Sequence, residues 1–204
     1  MRITSKDREI YKYIEKNKFA TVKQIANVFF NDIIYKNELA KKRLSCLVEH
    51  GQIKYSKAEN CNQMVFYSED KYKLQTYHNI VVMDLYTKFL EMRNLEVLNF
   101  EREKVWGSGK GAVRSDAFIT VKYSGKIQNF LVEAQASKNL WINSITKYNN
   151  KVVLEEIYKA CGGYAPVLIF MDEIMHSLDK VESFFQVRQI DLKLTDFPLI
   201  FDTE

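Results

Sequence analysis

The stretch RSDAFITVKYSGKIQNFLVEAQASK, residues 114–138, sets an aspartate at the head of one strand-like run and a glutamate near the end of the next. Ser124-Gly125 lies between two alternating runs and reads as the centre of a hairpin turn. With that centre Ile119 faces Phe130 and Ala117 faces Val132, which builds one apolar face. On the other face Phe118 opposes Leu131 and Asp116 opposes Glu133, with Gln135 two residues along on the same side. A four-residue loop on the same centre leaves this register unchanged; only an odd loop would move the acids apart.

Two carboxylates opposed across a ladder repel each other. The arrangement is tolerable if a cation sits with them, if one acid is protonated, or if water reaches the site. A divalent ion such as Mg²⁺, which takes one or two carboxylates plus waters, is the functional explanation and makes Asp116 and Glu133 metal-ligand candidates. The plainer explanation puts Asp116 at a wet strand end and pairs Glu133 with a basic side chain such as Arg114 or Lys138. Spacing leaves both open.

Outward from the hairpin, residues 78–94 fit a helix burying Ile80, Val81, Leu85, Phe89 and Met92, followed by a strand LEVLNF (95–100). VWGSGKGAVRSDAF (105–118) holds three of the chain's seven glycines and reads as its most flexible loop; its GSGKG lacks the spacing of a phosphate cradle. Downstream, residues 140–160 read as one helix and APVLIFMDE (165–173) as a strand covered on both faces. MHSLDKVESFF (175–185) reads as a short helix and DFPLIF (196–201) as a strand. Alternating strands and helices predict a small α/β domain with a mixed central sheet over 73–204. Trp106 and Trp141 flank the hairpin: core packing suits Trp141, while Trp106 beside the glycines could pack or stack on a base. His50, His78 and His176 sit at no metal-ligand spacing and read as ordinary residues.

The first third has a different pattern. Thr4-Ser5 caps a helix with Ile10, Tyr13 and Ile14 inside, and Thr21 caps a second with Val22, Ile25 and Phe29 inside. A third helix runs from about Lys36 to His50, stops at Gly51, and buries Ala40, Leu44, Leu47 and Val48. Two β-rich runs, IKYS and QMVFYS, follow. Three helices and a hairpin make a winged helix-turn-helix over 1–72, whose third helix would enter a DNA major groove. The candidate DNA contacts are Lys36, Asn37, Lys41, Lys42 and Ser45 on that helix, with Lys54 and Lys57 on the wing. The bland alternative is that Lys41, Lys42 and Arg43 form only a solvated face.

Charge favours the DNA reading. Residues 1–70 hold 13 Lys+Arg against 9 Asp+Glu, whereas residues 71–204 hold 17 of each, so the net +4 lies wholly in the first third. Localised positive charge draws a polyanion through counterion release. The three cysteines are scattered, which argues against a disulfide framework or zinc. No apolar run approaches the roughly 18 residues that span a bilayer, and the opening MRITSKDREIYKYIEK lacks a signal-peptide core, so a cytoplasmic, membrane-free protein is expected.

Asp116 followed by Glu133-Ala134-Gln135 is similar to the core of PD-(D/E)xK nucleases, an acid and then acid-x-lysine. More narrowly, RSDAF with FLVEAQAS resembles the replication-relaxation family of plasmids and conjugative elements. That family joins an N-terminal winged helix to a degenerate nuclease-like domain. The resemblance implies a double-stranded DNA-binding accessory or regulatory protein of a mobile genetic element, with replication or transfer proteins, or a second copy of the chain, as partners. It also implies a nuclease-like site at Asp116, Glu133 and Gln135, where Gln135 replaces the lysine that activates water. Lys138 or Lys147 could stand in for that lysine, and Glu91 could be a further acid. The missing lysine favours a domain that does not cut. The rivals are a Mg²⁺-dependent endonuclease using Asp116 and Glu133, and a protein-interaction module that binds no DNA.

Overall fold

Both threonines read as caps start helices in the structure, a computed structural model that describes residues 2–135, 141–179 and 181–201. Thr4 and Asp7 close a reciprocal capping box at the start of α1 (Ser5–Asn17), and Thr21 and Gln24 do the same for α2 (Val22–Phe29). Between them Phe19–Thr21 forms a short strand, β1, that the helical pattern of its neighbours had hidden. Helix α3 (Lys36–Glu49) ends where Gly51, at φ 66°, turns back to donate its N–H to the Val48 carbonyl at 2.9 Å. Strands β2 (Lys54–Lys57) and β3 (Met64–Tyr67) complete an antiparallel sheet in the order β1-β3-β2. Ile10, Ile14, Ile25, Leu44, Leu47 and Phe66 meet in one core.

Helix α4 (Tyr77–Glu91) belongs to this first unit. Gln24 Nε2 donates to the Ile80 carbonyl at 3.2 Å and to Asp84 Oδ1 at 2.7 Å, and Lys23 reaches Asp84 Oδ2 at 2.9 Å. The compact units are therefore Met1–Glu91 and Met92–Glu204, where hydrophobic periodicity had put the boundary at 72/73. Periodicity marks where a helix lies but not which core receives it.

The second unit is built on a five-stranded mixed sheet, β4-β5-β6-β7-β8. Its strands are β4 (Leu95–Trp106), β5 (Val113–Tyr123), β6 (Lys126–Ala134), β7 (Val167–Asp172) and β8 (Gln186–Asp191). The first three run antiparallel and the last two are parallel to β6. Ser124 (φ 50°) and Gly125 (φ 79°) make a two-residue turn with positive φ at both centres, the form that suits the twist of a hairpin. It holds the expected register: Ala117↔Val132, Phe118↔Leu131 and Ile119↔Phe130.

Four expectations are corrected here. The glycine-rich loop is short, because β4 continues to Trp106 and β5 resumes at Val113. The helix expected over 140–160 is two, α5 (Trp141–Thr146) and α6 (Lys151–Ala160), and Asn150 caps the second by accepting from the Val152 and Val153 N–H groups. Residues 175–185 form no helix among those described; Gln189 holds the stretch from the neighbouring strand, accepting from His176 N–H at 3.0 Å and donating to the Ile174 carbonyl at 2.7 Å. Ser177 and Asp179 bond each other locally, in competition with a helix. Finally, Phe197–Phe201 is a 3₁₀ turn, not a strand, and it lays Phe201 against Tyr123 and Phe130. Among the described residues no helix is long and apolar enough to cross a membrane.

Candidate functional site

Each unit carries one cluster of interest. In the first, the apolar side of α3 is committed to the core, so spacing along the helix turns Asn37, Lys41, Lys42 and Ser45 outward, and all four are exposed. Lys41 and Lys42 enter no ion pair among the described residues. Lys36 is half-buried and donates to Asn31 Oδ1 at 3.3 Å. On the hairpin Lys57 is exposed, but Lys54 is held by both oxygens of Asp70, at 2.9 and 2.8 Å. Arg43, which follows Lys41-Lys42 in sequence, turns the other way. Its guanidinium grips Asp7 of α1 in a two-pronged ion pair, with Nε to Oδ1 at 2.6 Å. Burial pushes the Asp7 carboxyl up, but the Arg43 and Thr4 hydrogen bonds outweigh it and hold the group below its ordinary value. Arg43 is therefore a joint between helices.

Beside this face lies a cleft of about 310 Å³, lined by Val22, Lys41, Val48, Tyr55, Met64 and Phe66 among others. Ile34 and Tyr35, in the turn before α3, are also exposed.

In the second unit the two acids meet as the register requires. Glu133 is 4% exposed, on the sheet face of Phe118 and Leu131. Asp116 lies one step beyond the last ladder pair and accepts the Ala134 N–H through Oδ2 at 2.8 Å. The break between α5 and α6 delivers two consecutive residues to Glu133. Lys147 Nζ donates to Oε2 at 2.7 Å and to the Arg114 carbonyl, also at 2.7 Å, while the Tyr148 hydroxyl donates to Oε1. Burial pushes the Glu133 carboxyl up to about 7; Lys147 pulls it down and the Asp116 charge pushes it up again. Burial and the Glu133 carboxyl together hold the Tyr148 phenol well above its usual range, so it stays a donor.

Gln135 is tied elsewhere: its N–H donates to the Met171 carbonyl at 2.7 Å and its Oε1 accepts from Ser144 at 3.2 Å. Lys138 lies outside the described residues. Glu91 ends α4 in the first unit and pairs with Lys88 at 3.0 Å. Trp106 is fully buried, edge-on to Phe118, with Nε1 donating to Ser115 Oγ at 3.0 Å, so it is a core residue. The Gly107 N–H of the glycine-rich loop donates to Glu156, so a carboxylate from α6 already takes that donor.

Sequence reasoning missed Tyr148, although Asn149-Asn150 behind it was a legible helix-start signal. It also passed over His176, whose Nε2 meets Asp172 Oδ2 at 2.9 Å and whose ring stacks on Trp141 with centroids 4.3 Å apart.

The acids do not suit the Mg²⁺ that the nuclease resemblance implies. Both Glu133 oxygens are taken by protein donors and one Asp116 oxygen by a backbone N–H. Among the described residues no three His, Cys, Asp or Glu side chains group as metal ligands. Comparison with family models, curated proteins and solved structures finds no match to this chain.

Proposed function

We propose that the chain is a double-stranded DNA-binding accessory or regulatory protein whose first unit is a winged helix and whose second is a nuclease-like domain that does not cut. The observation that carries the reading is the outward face of α3, where Asn37, Lys41, Lys42 and Ser45 stand exposed and the lysines are free of acidic partners among the described residues. The element order α1-β1-α2-α3-β2-β3 with sheet order β1-β3-β2 supports a winged helix, in which α3 lies in the major groove and β2-β3 meets the phosphates. The order β4-β5-β6, helices, then β7 parallel to β6 supports a nuclease-like core, with acids on its second and third strands. A role in plasmid replication, relaxation or transfer rests on RSDAF and FLVEAQAS alone.

Gel-shift titrations of duplex DNA at two salt concentrations test this. The native chain is expected to bind in a strongly salt-dependent way. Lys41→Ala with Lys42→Ala should weaken binding on the order of tenfold and reduce the salt slope by about 2. Supercoiled plasmid incubated with the chain and Mg²⁺ should stay intact; nicking that Glu133→Ala abolishes would establish the endonuclease instead. The cleft beside α3, with Tyr55 and Met64 on its wall, favours one rival, a protein-interaction module, and a chain with no DNA affinity at low salt would fit that module.

A further inference from the structure

The acid pair of the second unit poses a problem that the fold alone does not solve. β5 and β6 bring two carboxyls to one sheet face, and burial makes a charged Glu133 costly. In a nuclease-like domain, the reading on which this inference rests, a divalent ion would offset that charge. Here a cation from within the chain supplies part of the offset, and burial still holds the carboxyl above its ordinary value.

We propose that Lys147 is a built-in cation that takes the place of a divalent metal ion at the Asp116–Glu133 pair, so that the site is complete without metal. The ammonium has two oxygen acceptors, Glu133 Oε2 and the Arg114 carbonyl, both at 2.7 Å, a carboxylate-plus-carbonyl set of the type hard cations use. Its side chain is only 29% exposed, and the next residue closes the other side by giving the Tyr148 hydroxyl to Oε1. A Mg²⁺ at Glu133 would need an oxygen at about 2.0–2.1 Å, where it would repel an ammonium bound to the same carboxylate. The metal would have to evict Lys147, breaking two hydrogen bonds.

The placement is set by the local chain. α5 ends at Thr146, with the Lys147 N–H closing its last turn onto the Asn143 carbonyl at 3.1 Å, and α6 starts only after Asn150 caps it, so Lys147 and Tyr148 lie at the junction between the two helices.

Titration of Mn²⁺ into the full chain, with free ion read from its paramagnetic resonance signal, tests the proposal. The native chain should show no saturable binding up to about 1 mM, where any binding is weak. Lys147→Ala should gain binding at least roughly tenfold tighter, and adding Glu133→Gln should remove that gain. Native binding that Glu133→Gln abolishes would overturn the proposal, as would a folded Lys147→Ala chain binding no better than native. If Lys147→Ala does not fold, the native chain decides alone. Its thermal midpoint, read by tryptophan fluorescence, should be the same in EDTA and in excess Mg²⁺, and a midpoint raised by Mg²⁺ would overturn the proposal. None of these readings uses DNA, so they fail independently of DNA binding.

Discussion

Arg43→Ala is expected to destabilise the first unit by about 3–5 kcal/mol, the range for removing one partner of a buried ion pair. Asp7 is fully shielded from solvent, and its carboxylate does three jobs: it accepts from the Thr4 N–H at 2.6 Å, from the Thr4 hydroxyl at 2.7 Å, and from the Arg43 guanidinium. Without the guanidinium the acid has lost the main group that offsets its desolvation, and the cap of α1 loosens with it. Lys41→Ala and Lys42→Ala, exposed neighbours on the same helix, should each stay within about 0.5 kcal/mol. Urea unfolding followed by far-ultraviolet dichroism reads the difference. An Arg43→Ala loss below about 1 kcal/mol would mean that the pair is only a surface contact. The same contrast separates the two exposed lysines of Lys41-Lys42-Arg43, which the proposed DNA contact would use, from the arginine that holds the fold.

Raising the pH from about 4.5 to about 7 is expected to remove about 3 kcal/mol of stability from the second unit through Glu133 alone. Burial lifts this carboxyl from its ordinary 4.5 to about 7 in the folded chain. Below about 4.5 both states hold the proton and the group has no effect. Between the two values the folded chain keeps a proton that the unfolded chain gives up, so unfolding releases it and becomes easier as pH rises. Above about 7 both states have lost it and the slope ends. Glu133→Gln cannot titrate, so subtracting its profile from the native one isolates the effect from that of every other acid. Both tryptophans, Trp106 and Trp141, belong to the second unit, so their fluorescence follows its transition. Parallel native and Glu133→Gln profiles across this window would show that Lys147 and Tyr148 fully offset the burial of the carboxylate.

Much of the fold was readable because it rests on rules of short range. The threonine caps, the stop at Gly51 and the turn at Ser124-Gly125 depend on backbone preferences within a few residues. Side chains alternate strictly along a strand, so one turn centre suffices to place Asp116 and Glu133 on a common face. The outward face of α3 followed in the same way from helical spacing.

Tertiary structure alone decided what those groups meet. Among the described residues Glu133 pairs with Lys147 and not with Arg114, because Asn150 breaks a helix that hydrophobic pattern read as continuous. Arg43 left its basic neighbours because Asp7, 36 residues away along the chain, offered a buried partner. Helix α4 joined the first unit through Gln24 and Asp84, and residues 175–185 were held out of a helix by a glutamine from β8. For Arg43, α4 and residues 175–185 the deciding contact joins residues far apart in sequence, of which local pattern carries no record; at Glu133 the break at Asn150 is local, and only the carboxyl that it serves is remote.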